Sequence, residues 1–150
     1  MRAISLWQPW ASLWLSPSKV HETRHWATNV RGTVAVHAAQ KFVKTELPAK
    51  LVEILEDTFG GHWSQDLPSG ALIGTVDLVD CVETYCQGRL TLAASREDRL
   101  CGDWRAGRFA WRRSDSYQVF KRPIPYLGRQ GFFAVDDKLV EDALRGEVAA

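Results

Sequence analysis

No stretch of this 150-residue sequence holds the roughly 18 consecutive apolar residues that a membrane-spanning helix needs. The N-terminus runs Met1-Arg2-Ala3-Ile4 and then Trp7-Gln8-Pro9-Trp10, with neither the apolar core nor the small-residue cleavage site of a secretory signal. The cytoplasm is therefore the expected compartment, with no membrane partner. Cysteine is scarce and odd in number: Cys81, Cys86 and Cys101, with no Cys-x-x-Cys pair. That gives no disulfide framework. A structural zinc site would need a fourth ligand at the right spacing, and His62 is the only histidine nearby. Three reduced, buried thiols are expected instead. A glycine-rich phosphate loop, dinucleotide-binding glycines, a His-Glu-x-x-His pair and a serine nucleophile elbow are all missing. No internal repeat or low-complexity segment is visible.

What remains is an ordinary globular balance, 45% hydrophobic and 25% charged. It excludes disorder, collagen and coiled coil for the chain as a whole. The length suits one compact domain, 1–150, that buries enough surface to fold without a staple. Its core is expected over 3–135, with a C-terminal helix and tail at 136–150.

The net charge of +1 hides an uneven distribution. The first 50 residues carry +5, the next 50 carry −6 and the last 50 carry +2. From Arg105 to Arg129 seven basic residues stand against one acid, Asp115. If the two basic segments meet in the fold, they form a surface that attracts phosphates; otherwise they are a solvated face. Seven tryptophans, at 7, 10, 14, 26, 63, 104 and 111, accompany them. Tryptophan belongs in cores, but beside lysine and arginine it also builds base-stacking clefts.

Local patterns set out the elements. Ala3–Trp7 alternates like a strand, and Pro9 can open a helix that puts Trp10, Leu13 and Trp14 on one face. Ser16-Pro17-Ser18 breaks it. Thr33–Ala38 reads as a strand, Lys44–Phe59 as a helix stopped by Gly60-Gly61, and 62–70 as a loop. Ala71–Tyr85 is the longest strand-like run. Arg89–Arg99 is mixed, either a short helix or irregular. Phe109–Trp111 and Tyr117–Phe120 read as two strands, Gly131–Val135 as a last one, and Asp137 opens a C-terminal helix. About six strands and two or three helices without βαβ alternation indicate an α+β fold: a mixed sheet or a small closed barrel with flanking helices.

Several motifs in order resemble one family. They are Ser5-Leu6-Trp7-Gln8-Pro9-Trp10, Lys19-Val20-His21-Glu22-Thr23-Arg24, Val36-His37-Ala38-Ala39, Gly102-Asp103-Trp104, Gly107-Arg108-Phe109-Ala110-Trp111 and Gly128-Arg129-Gln130-Gly131-Phe132-Phe133. The set resembles the ASCH domain, a branch of the PUA-like superfamily, over about residues 3–135. The resemblance implies a small β-barrel with helices alongside and a cleft suited to RNA or a nucleobase. It does not fix a reaction, because members include an amidohydrolase acting on acylated cytidine, at least one ribonuclease, and proteins without a settled activity.

Lys19, Glu22 and Arg24 match the family's polar signature. Alternation from Val20 puts Glu22, Arg24 and Trp26 on one face and His21, Thr23 and His25 on the other. Lys19 has the wrong parity but follows the Ser16-Pro17-Ser18 break, free to turn toward a cleft. In the amidohydrolase branch, a lysine activates a threonine three residues on, assisted by a carboxylate on a later strand. Here Glu22 holds the threonine's place, Thr23 is one position off, and Asp77 is the best match for the carboxylate. Threonine acyl chemistry is thus in doubt. Lys19, Glu22 and Asp77 can instead support general acid–base hydrolysis, or read a base edge. Trp10 and Trp26 are candidate stacking platforms, while Trp7 reads as core and His37 as a satisfied buried histidine. Arg31, Arg108, Arg112 and Arg129 are candidate phosphate contacts, Arg108 being also a candidate turn residue.

The expected ligand is RNA or a nucleoside, with single-stranded or modified DNA as an alternative. The expected activity is binding in a positively charged cleft, with ribonuclease-like hydrolysis, amidohydrolysis of N4-acylated cytidine and non-catalytic reading all open. No cofactor is required, and a divalent metal enters only if the protein is a nuclease. Nothing in the sequence marks an oligomeric state.

Overall fold

The computed structural model describes residues 1–42 and 46–146. In chain order the elements are β1 (Arg2–Gln8), α1 (Trp10–Trp14), β2 (His21–Arg24), β3 (Gly32–Phe42), α2 (Ala49–Phe59), α3 (Trp63–Asp66), β4 (Ala71–Glu83), β5 (Tyr85–Cys86), β6 (Arg89–Leu90), α4 (Arg96–Leu100), β7 (Phe109–Pro125), β8 (Phe132–Ala134) and α5 (Asp137–Arg145). The start of the expected helix at Lys44 and the tail beyond Gly146 lie outside the described residues. Among the described residues, no helix is long and apolar enough to cross a membrane.

Six strands form one mixed sheet in the order β2-β7-β4-β3-β1-β8, and β5 pairs only with β6. The expected runs 3–7, 33–38 and 71–82 are neighbours: β1 runs parallel to β3, and β3 antiparallel to β4. Closure into a barrel is corrected. The edge strands β2 and β8 are four and three residues long and do not pair with each other. The gap is spanned by rings: Trp26 stands edge-on to Trp111 and Phe132 at 4.6 and 5.8 Å, and Trp111 stacks on Phe132 at 5.5 Å. Aromatic contact thus replaces the missing ladder between two edges.

The two strands expected at 109–111 and 117–120 are one long strand, β7. Its polar Ser114-Asp115-Ser116 segment is not a turn but a place where the register against β4 slips, between Val76 and Leu78. Among the described residues, five helices replace the expected two or three, because one-turn α3 and α4 are too short to show an apolar period.

Strand alternation divides the core. Ile4, Leu6, Val34, Val36, Val76 and Leu78 fill one side of the sheet with Trp14 and Trp111. Ala3, Ala35, Leu72, Phe120 and Phe133 face the other side, where Val140 and Ala143 of α5 cover them. Asp136 caps α5 by accepting the Lys138 N–H at 2.9 Å, and Gly146 ends it in the left-handed region at φ 77°. Leu51 and Leu55 of α2 bury beside Leu13 and Cys101. Burying each such aliphatic side chain stabilises the fold by about 1.5–3 kcal/mol. Of the three thiols only Cys101 is buried, while Cys86 is exposed and Cys81 intermediate, which corrects the expectation of three buried ones.

Candidate functional site

The turn after α1 carries Lys19, and its shape is set from below. Trp14 is fully buried and donates its indole N–H to the Val20 carbonyl at 3.2 Å. Arg113, 2% exposed, donates Nε to the carbonyls of Trp14 and Lys19 at 2.8 and 3.2 Å, and a terminal nitrogen to that of Ser16 at 2.7 Å. A planar guanidinium suits this task because its donors fan out in fixed directions. Burial lowers its pKa from the ordinary arginine value. On the other side of the turn, the fully buried Gln8 accepts the Ser12 N–H at 3.0 Å and donates to Ser12 Oγ and the Pro68 carbonyl at 2.7 and 2.8 Å. The β1–α1 junction is thereby fixed as well.

On this frame Lys19 turns inward and is completely buried. Its Nζ donates to Glu22 Oε1 at 2.9 Å and lies 5.3 Å from the centre of the Trp10 ring. Arg24, two residues on and on the same face of β2 as Glu22, places a terminal nitrogen 3.6 Å from Glu22 Oε2. Both Glu22 oxygens therefore face cations. The Arg24 guanidinium also lies 5.5 and 5.6 Å from the Trp26 and Trp111 rings. Its Nε is buried and has no hydrogen-bond partner.

These side chains line a cleft of about 630 Å³. Trp7, Arg108 and Asp103 complete its rim. Trp7, expected in the core, is 51% exposed. It shares a β1 face with Ala3 and Ser5, so that face passes from fully buried at Ala3 to half-open at Trp7. Asp103 is gripped by Arg105 at 2.7 and 2.9 Å, and the hydrogen bond from Arg105 holds its carboxyl below the usual carboxylate range. Arg108 donates to the carbonyls of Asp103 and Thr23 at 3.0 and 2.9 Å. Thr23 Oγ1 accepts the Asp103 N–H at 3.1 Å. A second lobe of about 620 Å³ opens beyond Ser5, Trp7, Arg24 and His25, lined by Trp26, His37 and the 126–131 loop that carries Arg129. Ser5, Trp7, Arg24 and His25 line both lobes, so the two form one continuous cleft.

A family model, the ASCH domain, matches residues 4–108. The chain belongs to the ASCH domain family. Activating signal cointegrator 1 of Homo sapiens and that of Mus musculus are each 36% identical to it over 81 residues. Those residues are 53% of this chain but 14% of either relative. The chain thus spans a small part of the proteins it matches.

Of the residues that the ASCH resemblance and the sequence pattern singled out, Lys19, Glu22 and Arg24 converge at the cleft, with Trp10 and Arg108 in the same lobe and Trp26 and Arg129 in the other. Asp77 lies elsewhere, so its assignment to the site is corrected. Alternation along β4 buries Val76 and Leu78 and exposes Asp77, which accepts from the Thr33 hydroxyl at 2.8 Å. Arg31 also lies outside the lining of both lobes: it holds the carbonyls of Thr28 and Val30 at 3.1 and 2.9 Å, with Asp80 at 4.0 Å. Arg112 pairs in register with His21 and faces another surface, beside Asp80 and Asp115. The basic residues therefore do not all share one side. Asp103 is the carboxylate that sequence reasoning missed in this cleft, although Gly102-Asp103-Trp104 was among the resembling motifs. Arg113 was missed because nothing in the chain sets it apart from Arg112 except strand parity. Among the described residues, no group of three or more His, Cys, Asp or Glu side chains is arranged to hold a metal ion.

Proposed function

We propose that the two-lobed cleft binds single-stranded RNA, with bases stacking on its indoles and the backbone drawn by its guanidinium groups. The observation that carries this is Arg24, which lies against two indoles and keeps a buried Nε donor unpaired at the cleft wall. An unmatched buried donor is costly, and a ligand acceptor removes that cost. Trp7 supports the reading, since a half-exposed indole on a cleft rim offers a face to a base. In the first lobe, Lys19, Arg24 and Arg108 outnumber Glu22 and Asp103.

The same site favours a reader over a hydrolase. A general base needs a carboxylate oxygen free to take a proton from the attacking group. Glu22 faces Lys19 and Arg24 with both oxygens, and Asp103 is held low by Arg105.

Fluorescence anisotropy with a labelled single-stranded RNA tests the proposal. Binding is expected at low salt and should weaken steeply as salt rises, because each phosphate contact releases counterions. Trp7→Ala is expected to lose about 10-fold in affinity through lost stacking, with little change in melting temperature. Lys19→Ala removes one half of a buried ion pair and is expected to lower both affinity and stability. No binding by wild type at low salt, or unchanged affinity in Trp7→Ala, would overturn it.

A further inference from the structure

Ser5 and His37 face each other across the parallel β1–β3 ladder, as a directly paired couple. Ser5 Oγ and His37 Nδ1 are 2.9 Å apart, and His37 Nε2 is 2.8 Å from the Tyr126 carbonyl oxygen. His37 is only 2% exposed, as expected for a satisfied buried histidine, whereas Ser5 is partly open to the cleft. With a neutral His37 ring, the direction of each proton in this relay follows from the Tyr126 carbonyl. A carbonyl oxygen can only accept, so His37 Nε2 carries a hydrogen and donates it to Tyr126. In the neutral ring, Nδ1 is then a lone pair, and it accepts the Ser5 hydroxyl proton. Ser5 has one proton, and it is spent inward. Toward the cleft its oxygen offers lone pairs only.

The loop that closes this lobe is built around the pair. A Cβ added at Gly128 would stand 2.5 and 2.7 Å from His37 Cε1 and Nδ1 and 3.2 Å from Ser5 Oγ. Only glycine lets the 126–131 backbone come down far enough for the Tyr126 carbonyl to take the histidine proton. His37 also meets Phe133 edge-on at 5.8 Å, which limits rotation of the ring. The acceptor character of Ser5 is thus fixed by a backbone carbonyl through a held ring, and a free hydroxyl would have no such constraint.

We propose that Ser5 is a specificity-determining residue, a fixed hydrogen-bond acceptor that makes the second lobe selective for a nucleobase bearing an exocyclic amino group. The inference rests on the cleft binding RNA. A keto oxygen in the place of that amino group would set acceptor against acceptor, leaving both desolvated and unpaired. Trp7, on the same face of β1 two residues away, would carry the face of the base whose edge Ser5 reads.

The test uses labelled heptamers of cytidine, uridine, adenosine and inosine with the full chain. Within each pair, cytidine against uridine and adenosine against inosine, only the first base carries an exocyclic amino group. Wild type is expected to bind the amino-bearing member about 10-fold more tightly. Ser5→Ala should bring both ratios near one by weakening the amino-bearing member of each pair, with a modest fall in melting temperature because His37 Nδ1 loses its donor. Gly128→Ala, which pushes on the ring from the loop side, should erode the ratios as well. Tight, salt-dependent binding of all four heptamers without discrimination would overturn this inference and leave the RNA-binding reading standing. Ratios that survive in Ser5→Ala would do the same. No binding of any heptamer would overturn both.

Discussion

Arg113 touches the turn of Lys19 only through backbone: its Nε reaches the Lys19 carbonyl at 3.2 Å, and no carboxylate pairs with it among the described residues. One buried cation thus shapes the loop that presents another. Arg113→Met is expected to destabilise the protein by about 3 kcal/mol or more, since buried carbonyls of Trp14, Ser16 and Lys19 lose their donors together. Arg113→Lys keeps the charge but not the fork and should recover less than half of the loss. Urea unfolding of the three proteins checks both statements. Equal stability of Arg113→Lys and wild type would remove the fork from the account.

A second prediction concerns pH. Asp98 of α4 is 1% exposed and accepts the N–H groups of Val20 and His21 at 2.8 and 3.0 Å and the His21 ring Nδ1 at 2.6 Å. Burial raises its pKa, but the hydrogen bonds from His21 and Val20 outweigh that, and the carboxyl ends below its ordinary 3.8. A depressed carboxyl stabilises the folded state above its unfolded pKa and loses that contribution as pH falls through the folded value. Asp98→Asn should therefore melt well below wild type at pH 7, and the gap should narrow as pH drops under about 4. A constant gap from pH 7 to pH 3 would contradict the assignment.

Thiol reactivity offers a third check. Burial pushes the Cys101 thiol up to about 11, so at pH 8 it is neutral as well as inaccessible. A disulfide-exchange reagent should modify the exposed Cys86 fastest in the native protein and Cys101 only as the chain unfolds. Rapid native labelling of Cys101, read by mass spectrometry, would show that α4 opens readily.

Much of the fold was legible because β1, β3 and β4 are long runs rich in β-branched and aliphatic residues. The β1, β3 and β4 runs carry valine, isoleucine and leucine at period two, and a sheet follows. Closure was not legible, because it depends on whether two short edges meet, and the Trp26, Trp111 and Phe132 rings that fill the gap are far apart in sequence. In the site, the family resemblance pointed to Lys19, Glu22 and Arg24, and parity put Glu22 and Arg24 on one face; Lys19 has the wrong parity and reaches Glu22 only because the turn after α1 swings it inward. Asp77 could not be placed there, since its own strand's alternation turns it outward. Trp7 misled for the opposite reason: its apolar character argues for burial, while its parity with Ser5 carries it to the cleft. Asp103 sits on a loop whose path is set by Thr23 and Trp104, and no local pattern encodes that.

The position of β7 bears on how this protein can be cut. Within the main sheet, β2 hydrogen-bonds to β7 alone, and β7 joins it to β4. Glu22 and Arg24 are thus moored to the main sheet by residues 109–112, just past the stretch 4–108 that the family model matches. A fragment ending at 108 would keep Lys19, Glu22 and Arg24 and lose the strand that holds Glu22 and Arg24 in place. The boundary of likeness is not a boundary of folding, and a fragment meant to keep this cleft has to extend through β8, with α5 to cover the apolar face behind it.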